Sequence, residues 1–245
     1  MTLDGKAALV TGGSRGIGEA IALRLAEDSA DVALTYHHQA DRAANIVERI
    51  KALGRRALAI QADSADPEAV RAAVSGAAAE FGRLDIVVNN AGAGALGPVT
   101  ELTLEDVDRV LDVNVRAPFL TAQAAVERLA DGGRIINIGS CMAERVAFPG
   151  GSLYATSKTA LIGLTKALAR ELGPRGITVN LIHPGPIDTD MNPADGESAA
   201  MQSGFTALGR YGLPSEVAAT VAHLAGESGR YISGASIAVD GGFAA

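Results

Sequence analysis

Seven short, almost continuously apolar runs alternate along this chain with longer stretches of helical periodicity, and that alternation leaves few folds open. The runs fall at 7–11, 32–36, 57–61, 86–89, 134–138, 178–183 and 236–239. Strands that are apolar on both faces belong to parallel sheets covered by helices on both sides. The helical patterns lie at 18–27, 42–53, 67–81, 104–113, 118–129, 155–172 and 215–224, with at least one between each consecutive pair of strands. Strand–helix–strand repeats of this kind close as right-handed crossovers. The expected fold class is therefore α/β: a doubly wound, seven-stranded parallel sheet with helices on both faces, filling 1–245 as a single domain. Only 184–210 breaks the rhythm, with Pro, Gly, Asp and Ser in little periodic order. It is too long for an ordinary connection and is expected to be a substrate lid.

Composition narrows the function classes. Hydrophobic residues make up 48% and charged residues 20%, with 29 glycines, which implies a large core and many tight turns rather than disorder. A net charge of −7 argues against a nucleic-acid surface, which needs clustered Lys and Arg. A lone cysteine, Cys141, leaves no intrachain disulfide and no metal cluster, so no metal is expected. The opening residues lack an apolar signal core and no run approaches a membrane span, so a cytoplasmic location without membrane association is expected.

The first strand runs into Thr11-Gly12-Gly13-Ser14-Arg15-Gly16-Ile17-Gly18, which opens a helix. Glycines let the backbone approach a pyrophosphate closely, and a helix N-terminus supplies free amides and a favourable dipole. The strict G-x-G-x-x-G spacing fails, because Ile21 stands where the third glycine belongs. The spacing T-G-x-x-x-G-x-G instead resembles the short-chain dehydrogenase/reductase family, whose fold is of the Rossmann type. Further matches follow in order along almost the whole chain: Asp63, Asn89-Asn90-Ala91-Gly92, Asn114, Ser140, Tyr154, Lys158, Pro184-Gly185 with Thr189, and Val239-Asp240-Gly241-Gly242. There are two departures. Ser29 stands where members commonly end the first helix with glycine, and Ser140 and Tyr154 are 14 residues apart, one more than in many relatives.

The resemblance implies hydride transfer between NADP(H) and a ketone or secondary alcohol, with a catalytic set of Asn114, Ser140, Tyr154 and Lys158. Tyr154 and Lys158, four apart, share one helix face. An alkoxide formed at the substrate needs a proton, and a free tyrosine has a pKa near 10. A neighbouring ammonium and the cationic oxidised nicotinamide are expected to draw it down toward working pH. Ser140, just past the fifth strand, is placed to polarise the carbonyl. The resemblance further implies that Lys158 bonds the nicotinamide ribose, that Asn114 holds a relay water, and that Asp63 meets the adenine amino group. Cofactor contacts are expected from Gly12, Ser14, Arg15, Gly16, Ile17, Gly18, His38, Asp63, Ser64, Asn90, Ala91, Gly92, Tyr154, Lys158, Pro184, Gly185, Ile187 and Thr189. Cys141 reads as a small wall residue, His183 and His223 as packing residues, and Phe148, Met191 and Phe205 as pocket walls.

NADPH is expected over NADH. The end of the second strand reads Thr35-Tyr36-His37-His38, without the carboxylate that holds a free ribose 2′-hydroxyl, and Arg15 offers a forked guanidinium to a 2′-phosphate. A small ketone or ketoester is favoured as substrate. A 3-oxoacyl-acyl-carrier-protein reductase, acting on a thioester of that acidic partner, is the alternative. It would use Arg175 for docking, but Asp131 stands where relatives place a second arginine. A nucleotide sensor without turnover typically lacks the tyrosine or lysine present here, and a dehalogenase-like relative lacks the nicotinamide-binding segment. A homotetramer is expected, assembled through the helix at 155–172 and the last strand.

Overall fold

The computed structural model describes residues 2–245. Seven parallel strands form one sheet: β1 (Ala7–Val10), β2 (Asp31–Tyr36), β3 (Ala57–Gln61), β4 (Leu84–Asn89), β5 (Leu129–Ile138), β6 (Thr178–Pro184) and β7 (Ser236–Val239), in the order β3-β2-β1-β4-β5-β6-β7. The order reverses between β1 and β4. Beyond the carboxyl ends of such strands an open α/β sheet leaves its binding crevice.

Alternation along each strand divides the core. In β1, Ala8 and Val10 join one cluster with Ile21 and Leu25 of α1 (Gly16–Glu27), Ile46 and Ile50 of α2 (Ala40–Ala52) and Val217 and Val221 of α8 (Pro214–Ala225). Their neighbours Ala7 and Leu9 point to the other face. They pack with Val74 and Phe81 of α3 (Pro67–Phe81), Ala122 of α5 (Ala117–Val126) and Leu172 of α6 (Ser152–Leu172). Side chains of period two thus meet helices on both sides, which is why the strands read as unbroken apolar runs. Among the described residues no helix is long and apolar enough to cross a membrane.

Three departures from the sequence reading bear on the site. The helices expected at 104–113 and 118–129 are one continuous rod: α4 (Leu104–Leu111), a π turn (Asp112–Arg116) and α5. A reciprocal cap starts it, with Thr103 Oγ accepting from Asp106 N at 3.1 Å and Asp106 Oδ2 from Thr103 N at 2.9 Å. The π turn accommodates one residue more than an α-helical turn, a feature frequent at functional sites. Secondly, Leu129 opens β5 instead of closing the helix. The register jumps from Leu84↔Leu129 to Ile86↔Arg134, so the Ala130-Asp131-Gly132-Gly133 turn bulges out of the strand. Thirdly, 184–210 is not wholly irregular: it contains a short helix, α7 (Ala199–Gly204).

Ser29 is the non-glycine residue with positive φ among the described residues, at 81°. It closes α1 with Ser29 N donating to Ala26 O and Ala30 N to Leu25 O, both at 2.9 Å, a Schellman arrangement that suits glycine. Left-handed backbone costs a residue with a Cβ about 1–2 kcal/mol, offset in part by the extra freedom glycine loses on folding. Ser29→Gly is expected to stabilise the chain by about 1 kcal/mol, raising Tm by roughly 2–4 °C in thermal unfolding. A lower Tm would show that the serine is not strained.

Candidate active site

The carboxyl ends of the strands open into a cleft of about 940 Å3. Thr11 ties its floor together: its Oγ accepts from the backbone N–H groups of Asn90 and Ala91, both at 3.0 Å. Asn90 Nδ2 returns bonds to Thr11 O and Gly12 O. The glycines are there for contact. A Cβ on Gly18 would lie 2.3 Å from Gly12 O, and one on Gly12, at φ 64°, would lie 2.9 Å from Ala91 Cα. Arg15 occupies the N-cap of α1 without a side-chain capping bond, so the first-turn amides face the cleft uncapped. That is the donor set a pyrophosphate requires.

At the far end of β2, His37 and His38 stack with ring centroids 3.5 Å apart. Asp63, expected to meet adenine, accepts from Arg109 Nη1 on both oxygens at 2.9 Å and from Ala65 N. Its Oδ2 lies 3.6 Å from His37 Nε2. Burial pushes its carboxyl up, but the bonds from Arg109 and Ala65 and the charge of Arg109 outweigh it and hold the group below its usual range. Arg109, on α4, has no motif to announce it. A second carboxylate also escaped the sequence reading, which saw none facing the phosphate end. Asp190 pairs with Arg42 of α2, and Arg15 acts on it through space.

Toward the centre, Ser140 follows β5 and Tyr154 sits in the first turn of α6, both lining the cleft, with the Ser140 hydroxyl acting on the phenol. Ser140 Oγ also accepts from Met142 N at 3.2 Å. Burial raises the Tyr154 phenol above its ordinary value, and the Ser140 hydroxyl only partly offsets this. Burial, the largest influence on the phenol, sets the direction, so the expected net lowering toward working pH is not seen in the free chain. The Lys158 Nζ lies 5.8 Å from the Tyr154 ring centre and donates to Ile138 O at 3.1 Å. Enclosed without a counter-charge, it is pulled down to about 8 by desolvation.

Asn114 is 1% exposed and does not line the cleft. The π turn aims it at the loop after β4. There its Oδ1 accepts from Ala93 N at 2.8 Å, while Nδ2 donates to Ala93 O at 2.8 Å and Ser157 Oγ at 2.9 Å. Ser157 in turn donates to Tyr154 O at 2.8 Å. Both amide donors are thus committed to fastening the Gly92 loop to α6. A relay water has only the second lone pair of Oδ1 or the backbone to use. Ser157 was missed, and nothing in its spacing announced it.

All the residues expected to contact cofactor line this one cleft, from Gly12, Ser14, Arg15, Gly16, Ile17 and Gly18 through His38, Asp63, Ser64, Asn90, Ala91 and Gly92 to Pro184, Gly185, Ile187 and Thr189. Thr189 packs against the glycine loop, within 3.2 Å of where a Gly16 Cβ would stand. Cys141 is a buried wall whose thiol burial pushes up to about 12. His183 is not fully satisfied. Its Nδ1 accepts from Ser140 N at 3.3 Å, but its buried Nε2 lacks a hydrogen-bond partner, and burial keeps the ring neutral. Phe148 and Met191 line the cleft, whereas Phe205 stands behind, stacked on Phe148 at 6.3 Å. Phe243, Met142 and Leu96 complete the apolar wall.

Known proteins resemble this chain in sequence and in overall structure. A family profile described as Enoyl-(Acyl carrier protein) reductase matches residues 12–244. The crystal structure of a short chain dehydrogenase from Burkholderia cenocepacia J2315 in complex with NADP superposes with a TM-score of 0.99, at 59% identity over 100% of both chains. The Cyclic-di-GMP-binding biofilm dispersal mediator protein of Escherichia coli (strain K12) is 43% identical over 98% of each chain. A 3-oxoacyl-[acyl-carrier-protein] reductase of Staphylococcus aureus (strain Mu50) is 41% identical over 97% of each. Motif order, sheet order and end-to-end similarity therefore agree, and the chain belongs to the short-chain dehydrogenase/reductase family.

Proposed function

We propose that this oxidoreductase uses NADPH to reduce a ketone to a secondary alcohol, with Tyr154 as proton donor. The observation that carries the reading is that Ser140, Tyr154 and the enclosed Lys158 ammonium line one cleft with a glycine cradle whose helix amides are uncapped. NADPH supplies a hydride when bound. The chain's own residues do the rest. Ser140 polarises the carbonyl oxygen. Tyr154, kept protonated by burial, hands its proton to the developing alkoxide. Lys158 steadies the charge left on the phenol and reaches the ribose, and Asn114 holds the Gly92 loop against α6. Purified protein should consume NADPH absorbance with a panel of activated ketones, cyclic ketones, quinones and acyl thioesters. No oxidation with any of them overturns the reading.

The alkaline limb of the pH profile tests Lys158. Its ammonium is charged below about 8 and lost above it. Reductive kcat/KM should therefore fall as pH rises through about 8, since this parameter reports groups of the free enzyme. In Lys158→Arg the limb should move to higher pH. A limb unchanged in that variant assigns it to another group.

A free ketone or ketoester suits the site better than a carrier-protein thioester. Arg175, the one basic residue at the expected docking position, is bonded to Asp131 at 2.9 Å and turns its remaining donors to Val126 O and Leu129 O. An acidic partner thus meets a neutralised arginine. A carrier-protein advantage in kcat/KM that shrinks with salt and vanishes in Arg175→Glu would reverse this preference. Assembly as a homotetramer is part of the same reading, supported by exposed small residues Ala160, Gly163 and Ala167 on α6 and by the open edge of β7. Light scattering that reads a stable monomer overturns it.

A further inference from the structure

Arg42 and Asp190 are 148 residues apart in sequence, yet their side chains meet at the rim of the cleft, which Asp190 lines together with Arg15. Arg42 belongs to the first turn of α2, just beyond the histidines that end β2. Asp190 follows Thr189, whose side chain packs on the glycine loop. Arg15 and Asp190 line the same cleft, Arg15 acts on that carboxylate through space, and it has no ion pair of its own among the described residues. Two guanidiniums from separate elements, one bonded and one acting at longer range, thus bear on one carboxylate contributed by a third. Arg42 and Asp190 are both about half exposed, at 52% and 51%, so their attraction is the modest kind that solvent screens.

A carboxylate is a poor match for such a pair. Two guanidiniums offer more forked donors than one carboxylate accepts, and a phosphate monoester brings up to two negative charges and three acceptor oxygens. An anion of that kind outcompetes a single carboxylate for both arginines. Against it, Asp190 left nearby is a like charge.

We propose that Asp190 is an internal stand-in for the 2′-phosphate: it holds Arg42 beside Arg15 until the phosphate displaces it, which makes Arg42 a second phosphate-binding residue. The proposal rests on the NADPH reading above and deepens it. Asp190 weakens phosphate binding by competing for the arginines, and at the same time keeps the cationic pair assembled and the segment after Thr189 tethered to α2. Discrimination between the two nicotinamide cofactors then depends on a residue that contacts neither base nor ribose.

The test is binding, with adenosine 2′-monophosphate and adenosine as probes by calorimetry, and NADPH and NADH by nicotinamide fluorescence. A carboxylate close to a phosphate in water repels it modestly, and salt screens that repulsion. Asp190→Asn is therefore expected to tighten adenosine 2′-monophosphate and NADPH by about 3–10-fold at low salt. Adenosine and NADH should change little, and the gain should shrink toward 1 M salt. Arg42→Ala is expected to loosen the phosphorylated probes alone and to abolish the gain from Asp190→Asn in the double variant. Both side chains are exposed enough for these variants to fold. If Asp190→Asn loosens NADPH and NADH equally, the pair is a clasp over either cofactor and the proposal is overturned. An unchanged ratio also overturns it. If the wild-type chain fails to prefer adenosine 2′-monophosphate over adenosine, the NADPH reading itself is at fault.

Discussion

Tyr154→Phe is expected to lower kcat by about 10²–10⁴-fold while leaving NADPH binding nearly unchanged, the worth of one positioned proton transfer. The substitution removes a hydroxyl and keeps the ring. The ring's place in the apolar cluster with Cys141, Met142, Ala155 and Phe243 survives, and Ser140 Oγ keeps its bond from Met142 N. The fold and the cleft are therefore expected to persist, with the loss confined to the chemical step. The two measurements are single-turnover rates with saturating NADPH and a fluorescence titration of the cofactor. A Tyr154→Phe enzyme that keeps more than roughly a tenth of kcat assigns the proton to some other donor. A variant that also loses NADPH affinity shows a structural role.

Arg15→Ala should weaken NADPH about 10–100-fold and NADH only a few-fold. Hydrogen bonds to charged groups contribute roughly 1.5–3 kcal/mol, and only one of the two cofactors carries the phosphate. Arg15 is suited to the comparison because it makes no capping bond to α1, so its removal leaves the helix start intact. The end of β2 adds no competing carboxylate of its own. Asp31, the acidic residue of that strand, lies at the opposite edge, where it accepts from Arg56 N at 2.8 Å. Equal loss for both cofactors would mean that Arg15 serves the pyrophosphate instead.

The backbone of this protein was largely legible from residue periodicity because its inner strands are buried on both faces and its helices are not. The cofactor cradle was legible for a related reason. Glycines at close approaches, such as Gly12 against Ala91, leave a spacing in the sequence that persists wherever the contact does. What escaped were partnerships between elements far apart in the chain. Arg109 on Asp63, Arg42 on Asp190 and Ser157 on Asn114 are single polar residues on helices, and nothing about a lone arginine or serine on a helix tells which carboxylate or amide it will meet. The Tyr154 phenol escaped for a different reason. Spacing placed it near Lys158 but gave no measure of burial, and burial set the direction of its shift. The rod from Leu104 to Val126 read as two helices because one additional residue breaks the 3.6-residue phase.

That mis-wound turn also bears on any attempt to make the protein sturdier. Each residue advances a regular helix by about 100°, so deleting one residue from Asp112–Arg116 would restore ideal winding while swinging Asn114 away from Ala93 and Ser157. Design procedures that reward regular backbone would favour the shortened helix, although it would strip a buried amide of its three hydrogen bonds. The Gly92 loop would then lose its tether to the helix that carries Tyr154 and Lys158. If the turn positions that loop, a chain shortened there should lose turnover whatever its melting temperature, and only an assay of both together would reveal it.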